Sequence, residues 1–407
     1  MIAKAVAGFV AFAAIASAAL GCVEEPPGVP APNGVVSPTA AIAVQESNWE
    51  VRVLAGAGAL RQDGRPAAVA GYRDGPVADA LFNGPLDLAV DSKGNVIVAD
   101  SGNRRIRRIT PQGLVETVAG SGEEGSADGP AAKATFRTPV SVAVGPDGTI
   151  FVADSEAYVV RAIMPNGDVR TLAGTDFVLC NPVYPKEPGL PQPPAVPKTC
   201  APEYTGSFRD GPAAEALFNS PAGIAVDLVG NVFVSDAGNH RIRRIDSSGN
   251  VTTFAGNGET AGFLPDDQRI TYPGDLSFGS DGTLFVNEFG SRIRLVSPSG
   301  VVSTVAGARE PGYADAVGDL ARFAGITGIS SSGNGGLLVA ESGNQRVRLV
   351  GANGNVTTLA GTGGQGMREG PAGSAQFSYP TGIAEVRPGL VYLADSNLGR
   401  IFQISVR

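Results

Sequence analysis

The sequence contains few of the residues from which common catalytic and metal sites are built. Its 407 residues include one histidine, three cysteines and one tryptophan. A single histidine excludes a His-rich zinc site, and a Ser-His-Asp triad would have to use His240. The sequence also has no Cys-x-x-Cys pair and no Gly-Lys-Ser/Thr phosphate loop. His240 stands in a Gly-Asn-His-Arg turn, where we expect it to have a structural, solvated role.

Positive charge is also in short supply. Lysine and arginine number 31 against 39 aspartates and glutamates, which gives a formal net charge of −8. Such a chain repels phosphate backbones, so nucleic acid is not expected as a partner. The feature to weigh against this is a pair of arginine clusters, at residues 104–108 and 241–244. We expect these arginines to alternate with isoleucine along a strand and to pair with neighbouring carboxylates.

Glycine and proline, by contrast, are abundant, with 56 and 30 copies. Several of them punctuate the stretch Ser220–Gly256, which holds four short runs rich in Val, Ile and Phe. Each run ends at a turn signal such as Gly-Asn, and this pattern is typical of short strands joined by tight turns. The stretch is therefore predicted to be a four-stranded antiparallel meander.

The meander is repeated along the chain. The acidic residue that ends its second strand recurs about every 53 residues, with one longer interval, and such a period is typical of propeller blades. The six copies are Asp100, Asp154, Asp236, Glu288, Glu341 and Asp395. An Ala-Gly pair that ends the fourth strand also occurs six times, and its first copy, at Gly56, precedes the first of these acids. We therefore predict an all-β, six-bladed β-propeller of four-stranded antiparallel blades, whose ring closes when Val51–Ala55 pairs with Arg400–Ser405.

The best copy of the unit, P-x-G-I-A-V-D followed by G-N-V-F-V-x-D-x-G-N-H-R-I-R, closely resembles the NHL-repeat family. The segments Asp91–Ile109 and Leu337–Val350 match well, and the resemblance extends over about Val51–Arg407. It implies a β-propeller, a fold that hosts many unrelated functions. Some NHL-type propellers bind RNA through a basic face. Six-bladed relatives also include lactonases and lyases that use a divalent cation bound in the channel.

The N-terminal 48 residues differ from the repeats. Residues 1–22 have a positive start, an apolar stretch and small residues before Cys22, which predicts a secretory signal peptide of lipoprotein type. Lipidation of Cys22 competes with ordinary cleavage at Ala16-Ser17-Ala18 and with a retained transmembrane anchor. Residues 23–48 are Pro-rich and predict a tether, although a disordered N-terminus without a spacing role fits equally. The propeller then occupies residues 49–407.

The remaining cysteines, Cys180 and Cys200, lie within a Pro-rich insertion at about residues 175–208. If Cys22 carries lipid, they form an even pair in an oxidising compartment, and we expect them to form a disulfide. Export and lipidation together predict a membrane-anchored protein of the bacterial cell envelope, periplasmic or surface-facing. Ordinary cleavage would instead make it a secreted protein.

The connections from each fourth strand to the next first strand are long, whereas the turns after the first and third strands are short. Alternating strand direction puts the long connections and the turns after the second strands on one loop-rich face, where binding residues concentrate. The six repeated acids lie at this face. They could form a ring of carboxylates for binding, but six-fold repetition favours a structural role in which each acid accepts hydrogen bonds from the backbone of its own turn. A phenylalanine repeated in the long connections is predicted to fill the space between blades, at Phe82, Phe136, Phe218, Phe323 and Phe377.

One position departs from the repeat. At the start of the innermost strand, blades one and four carry Asp87 and Asp275, where the other blades carry glycine or serine. Blades one and four of six face each other across the channel, so the two carboxylates are predicted to hold a hydrated divalent cation such as Ca²⁺, or a polar ligand group. Alternatively, both acids cap strand starts and point into bulk water.

We therefore interpret the chain as an exported, lipid-anchored, monomeric propeller that binds a protein or a polysaccharide on its loop-rich face without catalysis. Only the lipid anchor is expected to contact the membrane. The alternative is a lactonase- or lyase-like enzyme that depends on a divalent cation. Such enzymes draw on several Glu, Asn, Asp or His side chains, whereas only Asp87 and Asp275 stand out here.

Overall fold

The computed structural model of the chain describes residues 48–56, 70–175, 208–260 and 268–407. These residues form six antiparallel sheets, one for each predicted blade. The innermost strands of neighbouring blades contact one another around the ring. The all-β, six-bladed propeller predicted from the sequence is confirmed.

Twenty-eight strands make up the described part of the ring. The first sixteen are β1 (Trp49–Ala55), β2 (Gly75–Pro76), β3 (Pro85–Val90), β4 (Val96–Asp100), β5 (Arg105–Ile109), β6 (Leu114–Ala119), β7 (Gly129–Pro130), β8 (Pro139–Val144), β9 (Ile150–Asp154), β10 (Val159–Ile163), β11 (Asp168–Gly174), β12 (Gly211–Pro212), β13 (Pro221–Val226), β14 (Val232–Asp236), β15 (Arg241–Ile245) and β16 (Asn250–Ala255). The others are β17 (Pro273–Phe278), β18 (Leu284–Glu288), β19 (Arg292–Val296), β20 (Val302–Gly307), β21 (Ile326–Ser331), β22 (Leu337–Glu341), β23 (Arg346–Val350), β24 (Val356–Ala360), β25 (Gly370–Pro371), β26 (Pro380–Arg387), β27 (Leu390–Asp395) and β28 (Arg400–Val406). Single turns of 3₁₀ helix occur at Ser101–Asn103, Ser155–Ala157, Ala237–Asn239, Gly318–Leu320 and Ala372–Ser374.

The ring closes as predicted. The N-terminal strand β1 pairs antiparallel with the C-terminal strand β28, with Val51 opposite Ile404. Blade six therefore takes three strands from the C-terminus and its outer strand from the N-terminus. This pairing removes an edge that an open array of blades would expose.

The outer edge differs from the expectation of four strands. In blades one, two, three and six, a Gly-Pro dipeptide forms a fifth strand beyond the outer strand, and only the sheets of blades four and five have four strands in the described residues. In blade one, Gly75 pairs with Val115. Because proline lacks an N–H, it suits the outermost position of a sheet. In these four blades, the long connection thus covers the outer edge of the blade that it enters before it turns inward.

Six clusters of buried apolar side chains lie in the described part of the ring, and each spans two neighbouring blades. The five repeated phenylalanines are buried, with exposures of 0–2%, as expected for side chains packed between blades. Blade four has Ile270 at the corresponding place, and it too is fully buried. Repeats of this kind bury their apolar faces by stacking on their neighbours.

The two faces of the ring differ. The loop-rich face carries the turns after the second strands and the long connections. The opposite face, here called the short-turn face, carries the turns after the first and third strands, for example Asp91–Asn95 in blade one. Strand β1 starts beside Val406 at the end of β28. The N-terminal segment therefore joins the propeller at the short-turn face.

Candidate functional site

The six repeated acids lie inside the blades at the loop-rich end, and each has an exposure of 0%. Each accepts a hydrogen bond from the backbone of the long connection that enters its own blade. Asp100 accepts from the Asn83 amide at 2.8 Å, and Glu341 accepts from the Ala324 amide at 2.7 Å. The donors therefore belong to the connection, and the expectation that each acid accepts from the backbone of its own turn is wrong for most of these bonds. In blade six, where the Leu398 amide donates to Asp395, a turn amide does contribute.

In blades one to five, a fully buried arginine on the third strand pairs with the acid. In blade one, Arg107 Nη1 lies 2.7 Å from Asp100 Oδ2, and Arg107 Nη2 lies 2.6 Å from Asp74 Oδ1. The remaining N–H groups of Arg107 donate to Asp74 and to the carbonyls of Arg73 and Leu81. All five guanidinium donors are thus used, which is the condition under which a buried arginine is tolerated. The equivalents are Arg161, Arg243, Arg294 and Arg348.

These contacts explain the arginine clusters. Arg107 and Arg243 point into their blades, whereas Arg108 pairs with Glu116 at 2.6 Å. Arg241 stacks on the Phe208 ring, with its guanidinium carbon 3.9 Å from the ring centroid. The guanidinium groups are therefore occupied by carboxylates, carbonyls and aromatic rings of the chain itself.

Blade six has no such arginine. Phe402 occupies the position and packs edge-on against Phe377, with 5.4 Å between ring centroids. Asp395 instead accepts hydrogen bonds from the amides of Ser378 and Tyr379. Burial raises the pKa of Asp395 to about 6, and the hydrogen bonds oppose this rise.

Asp87 and Asp275 both line a central cavity of about 270 Å³ that is bounded by the innermost strands of all six blades. Asp87 is only 7% exposed. Its Oδ1 accepts from the Leu88 amide, and its Oδ2 accepts from the Ser141 hydroxyl (2.6 Å) and the Val142 amide (2.9 Å). The carboxylate therefore bridges blades one and two, and it does not point into bulk water.

Asp275 makes the corresponding bridge between blades four and five. Its Oδ1 accepts from the Leu276 amide and its Oδ2 from the Ile329 amide, both at 2.8 Å. The innermost strand of a blade has no neighbour on its channel side, so its outward amides need acceptors. The two aspartates supply four of those acceptors, and Ser141 supplies another to the Ile224 amide.

The two carboxylates also act on each other. Burial raises the pKa of Asp87 to about 6. Burial, and then the negative charge of Asp87, raise the pKa of Asp275 well above its usual value. Like charges that share one low-dielectric cavity disfavour the doubly ionised state. A divalent cation or a proton would relieve this repulsion.

Whether the pair binds a cation stays a prediction. Carboxylate oxygens are suitable ligands for Ca²⁺. However, each carboxylate oxygen of Asp87 and Asp275 already accepts at least one hydrogen bond. Within the described ranges there is also no group of three or more His, Cys, Asp or Glu side chains placed to hold a metal ion. Water and backbone carbonyls would have to complete the coordination shell.

An aromatic cluster on the loop-rich face was missed by the sequence analysis. The rings of His240 and Tyr272 meet edge-to-face with 4.4 Å between centroids, and Phe289 lies 6.2 Å from Tyr272. All three side chains are half-buried rather than fully solvated. The Tyr272 amide donates to His240 Nδ1 at 3.1 Å, and burial lowers the pKa of His240. His240 is therefore a neutral member of a cluster that joins blades three and four.

The backbone of this cluster is unusual. His240, Tyr272 and Phe289 have φ angles of 54°, 42° and 53°, in the left-handed region that favours Gly or Asn. The other turns after the second strands also use positive φ, with Arg104 or Gln345 at the position of His240. The turn thus demands the backbone conformation but not an aromatic ring. The only hint of this cluster in the sequence is that Phe289 departs from the usual Gly-Asn-His pattern.

Three predicted features fall on residues that the structure does not describe. They are the lipidation of Cys22, the Cys180–Cys200 disulfide and the Pro-rich tether at residues 23–48, whose last residue alone is described. Among the described residues, no helix is long and apolar enough to cross a membrane.

A model of the NHL-repeat family matches residues 82–109 and 218–245. Both segments run from a buried phenylalanine to the end of a third strand. The chain thus contains two segments that match the NHL repeat, and it folds as a six-bladed propeller. The matched segments belong to blades one and three, in which the buried arginine and its two acids are complete.

Known proteins resemble the chain over most of its length. NHL repeat-containing protein 2 of Bos taurus is 29% identical over 369 residues, covering 80% of this chain and 47% of that protein. Protein SUPPRESSOR OF QUENCHING 1, chloroplastic, of Arabidopsis thaliana is 26% identical over 345 residues, covering 80% of this chain and 30% of that protein. The chain thus spans less than half of the length of either relative.

Among solved structures, an auxiliary nutrient binding protein from Bacteroides ovatus superposes on the chain with a TM-score of 0.62 at 15% identity. The match covers 89% of this chain and 77% of that protein. A likeness at this identity concerns the propeller fold alone.

Proposed function

We propose that this propeller is an exported, non-catalytic binding protein that holds a polysaccharide or a protein partner on its loop-rich face. The proposal includes a lipid anchor at Cys22 in a bacterial cell envelope and a monomeric state. The Bacteroides ovatus protein of the same fold bears the name of a nutrient binding protein, which agrees with such a role. The sequence pattern of residues 1–22 supports the export and the anchor.

The observation that carries the proposal is the cluster of His240, Tyr272 and Phe289. Partly exposed aromatic rings offer a large contact area at little cost in conformational entropy, and they are enriched at binding sites. Because Arg104 and Gln345 take the position of His240 in other blades, the turn does not require an aromatic ring, and the aromatic side chains need another reason. Contact with a ligand supplies that reason, because sugar rings and apolar side chains both pack on aromatic faces.

Asparagine variants test this site without disturbing its backbone. The substitutions Tyr272→Asn and Phe289→Asn remove the rings, and asparagine tolerates a positive φ. The matched control is Gln345→Asn, which changes a residue with the same backbone conformation in blade five. Thermal melting first establishes that the double variant Tyr272→Asn/Phe289→Asn and the control are both folded.

Binding is then measured by affinity electrophoresis through gels that contain individual purified bacterial polysaccharides, and by interferometry against purified envelope proteins. We expect the double variant to bind at least about tenfold more weakly than wild type and the control to bind normally. If the double variant binds as tightly as wild type, the aromatic cluster is not the site. The class of probe that retains the wild-type chain decides between polysaccharide and protein.

A second candidate function rests on the carboxylate pair in the channel. Asp87 and Asp275 line one cavity, and the negative charge of Asp87 raises the pKa of Asp275, an arrangement that a divalent cation would stabilise. This observation favours a cation-dependent, lactonase- or lyase-like enzyme. That function depends on a bound cation, so a calcium titration of wild type and of a variant without the two aspartates tests it.

A further inference from the structure

The most exposed large apolar side chains in the described residues are two neighbours at the tip of one turn. Leu228 is 93% exposed and Val229 is 78% exposed. They lie between β13 and β14 of blade three, on the short-turn face. A single exposed apolar residue is ordinary, but two adjacent ones at a protruding tip form a small hydrophobic contact surface.

The turn does not need these side chains. It has the sequence Asp-Leu-Val-Gly-Asn, and the corresponding turn of blade one, at residues 91–95, has Asp-Ser-Lys-Gly-Asn. In blade three, the amides of Val229 and Asn231 donate to Asp227 Oδ1 at 3.0 and 2.8 Å. In blade one, the amides of the matching residues donate to Asp91 Oδ1 at 2.9 and 2.8 Å. Because Ser-Lys supports the same turn, Leu-Val has no structural role that the fold requires.

The strand directions show where the N-terminal segment lies relative to this tip. Every fourth strand runs from the short-turn face to the loop-rich face, and β1 is the fourth strand of blade six. Its first residue, Trp49, pairs with Val406, and the Val406 amide donates to Gly389 in a short turn of the same blade. Residues 1–47 therefore join the short-turn face, the same face that carries Leu228 and Val229.

We propose that the short-turn face lies on a lipid bilayer and that Leu228 and Val229 insert into its interfacial region. The inference rests on the proposed lipid anchor at Cys22, which would keep the propeller near the membrane, while the Leu228–Val229 tip would fix its orientation. Blade three lies opposite blade six in a ring of six, so the tip and the anchored strand support the propeller at two distant points. The loop-rich face, with His240, Tyr272 and Phe289, then points away from the membrane toward soluble ligands.

The Leu228–Val229 tip is assigned to a lipid bilayer rather than to a protein partner because its surface is small. Stable protein interfaces bury roughly 800 Å² on each partner, far more than two side chains provide. A bilayer needs no such area, because a second weak contact is enough to fix the orientation of a protein that is already anchored. The residues from Cys22 to Asn48 can span up to roughly 80 Å if extended, so the anchor alone leaves the orientation free.

Tryptophan fluorescence tests the orientation in the full-length, lipidated protein. Trp49 is the single tryptophan, so Trp49→Phe gives a silent background for reporters. One variant adds Leu228→Trp on the short-turn face. A second adds Tyr72→Trp in the long connection that enters blade one, where Tyr72 is 45% exposed. Both proteins are reconstituted into phosphatidylcholine vesicles with and without brominated acyl chains, and flotation confirms that they are bound.

We expect brominated lipid to quench most of the fluorescence of the Leu228→Trp protein and to leave the Tyr72→Trp protein unchanged. The reverse pattern, or no quenching in either bound protein, overturns the inference while leaving the lipid anchor intact. Failure of the proteins to float with vesicles overturns both the anchor and the inference. None of these outcomes affects the proposal that the aromatic cluster binds a ligand, because that binding is measured separately.

A second copy of the chain could also cover the Leu228–Val229 tip. Sedimentation of the Leu228→Ser/Val229→Lys variant, which has the sequence of the blade-one turn, tests this possibility. We expect wild type and variant to sediment identically as monomers. A wild-type dimer that the variant cannot form would assign the tip to self-association and overturn the membrane assignment.

Discussion

Two kinds of junction join the innermost strands around the ring. Between blades one and two, two and three, and four and five, the side chain at one repeat position accepts an amide of the next blade. These side chains are Asp87, Ser141 and Asp275. At the other three junctions, the same repeat position is Gly223, Gly328 or Gly382, and a Cβ there would overlap backbone atoms of the next blade.

The difference shows that one repeat position can solve the same packing problem in two ways. A glycine lets the two backbones touch, whereas a polar side chain fills the gap and satisfies edge amides. Only the second solution places a carboxylate at this repeat position, whereas Glu385 reaches the same cavity from another position. The Asp-Asp asymmetry is thus part of how the ring is assembled, whether or not it also binds a ligand.

The largest effect is expected when a glycine junction is forced to accept a side chain. In Gly328→Ser, the new Cβ would overlap the Thr381 carbonyl oxygen, which belongs to the backbone and cannot rotate away. We expect a loss of about 4 kcal/mol in the free energy of unfolding, above the usual cost of overpacking for that reason. The matched control, Ser141→Gly, removes only hydrogen bonds and is expected to cost about 1–2 kcal/mol. Equal losses in urea denaturation would contradict the distinction between the junctions.

The carboxylate junctions are expected to make stability depend on pH. Because the folded-state pKa of Asp87 is raised to about 6 from 3.8, the folded state holds its proton more tightly than the unfolded chain. The resulting stability is full below pH 3.8 and is lost as the pH rises through about 6. The shift of Asp87 corresponds to about 3 kcal/mol.

The control for this pH effect is Asp87→Ser/Asp275→Ser, since serine already serves at this position in blade two. The other buried carboxylates are the same in both proteins, so the difference between the two proteins isolates the channel pair. Unfolding midpoints in urea from pH 4 to pH 8 should fall more steeply for wild type. Parallel curves would show that the channel pair does not titrate in this range.

Calcium is expected to have a smaller effect, confined to the same junctions. At neutral pH, Ca²⁺ at ten times its dissociation constant should stabilise wild type by about 1.4 kcal/mol. Calorimetric titration and thermal melting compare wild type with Asp87→Ser/Asp275→Ser, which should not respond. Equal traces and equal melting temperatures for both proteins would leave the aspartates with only their bridging role.

The smallest effect on the blades is expected from the Cys180–Cys200 crosslink, which lies far from the junctions in sequence and outside the described residues. A loop of about 20 residues corresponds to roughly 3 kcal/mol of chain entropy, most of it confined to the loop itself. Cys180→Ser/Cys200→Ser should therefore melt within about 2 °C of wild type. Mass spectrometry of the unreduced exported protein tests the bond, and two free thiols would refute it.

The blade count, the ring closure and the buried phenylalanines could be predicted from the sequence because they depend on short-range patterns. The sequence shows alternating apolar residues, turn signals and a regular repeat period, all of which can be recognised without knowing the tertiary structure. The spare copy of the fourth strand at Val51–Ala55 predicted its pairing with the C-terminus, since an open ring would leave two edges. The same local reading marked Asp87 and Asp275 as departures from the repeat.

Only the tertiary structure showed which groups the buried arginines, the channel aspartates and His240 contact. Arg107 meets Asp74 across 33 positions of sequence, Asp87 meets Ser141 across 54, and the Tyr272 amide meets His240 across 32. No local pattern specifies such pairs, because they arise only when the long connections fold back and the blades stack. The sequence by itself determined a six-bladed ring with two unusual aspartates. Only the packing of one blade on the next decided that these aspartates bridge blades, and that three aromatic residues share one face.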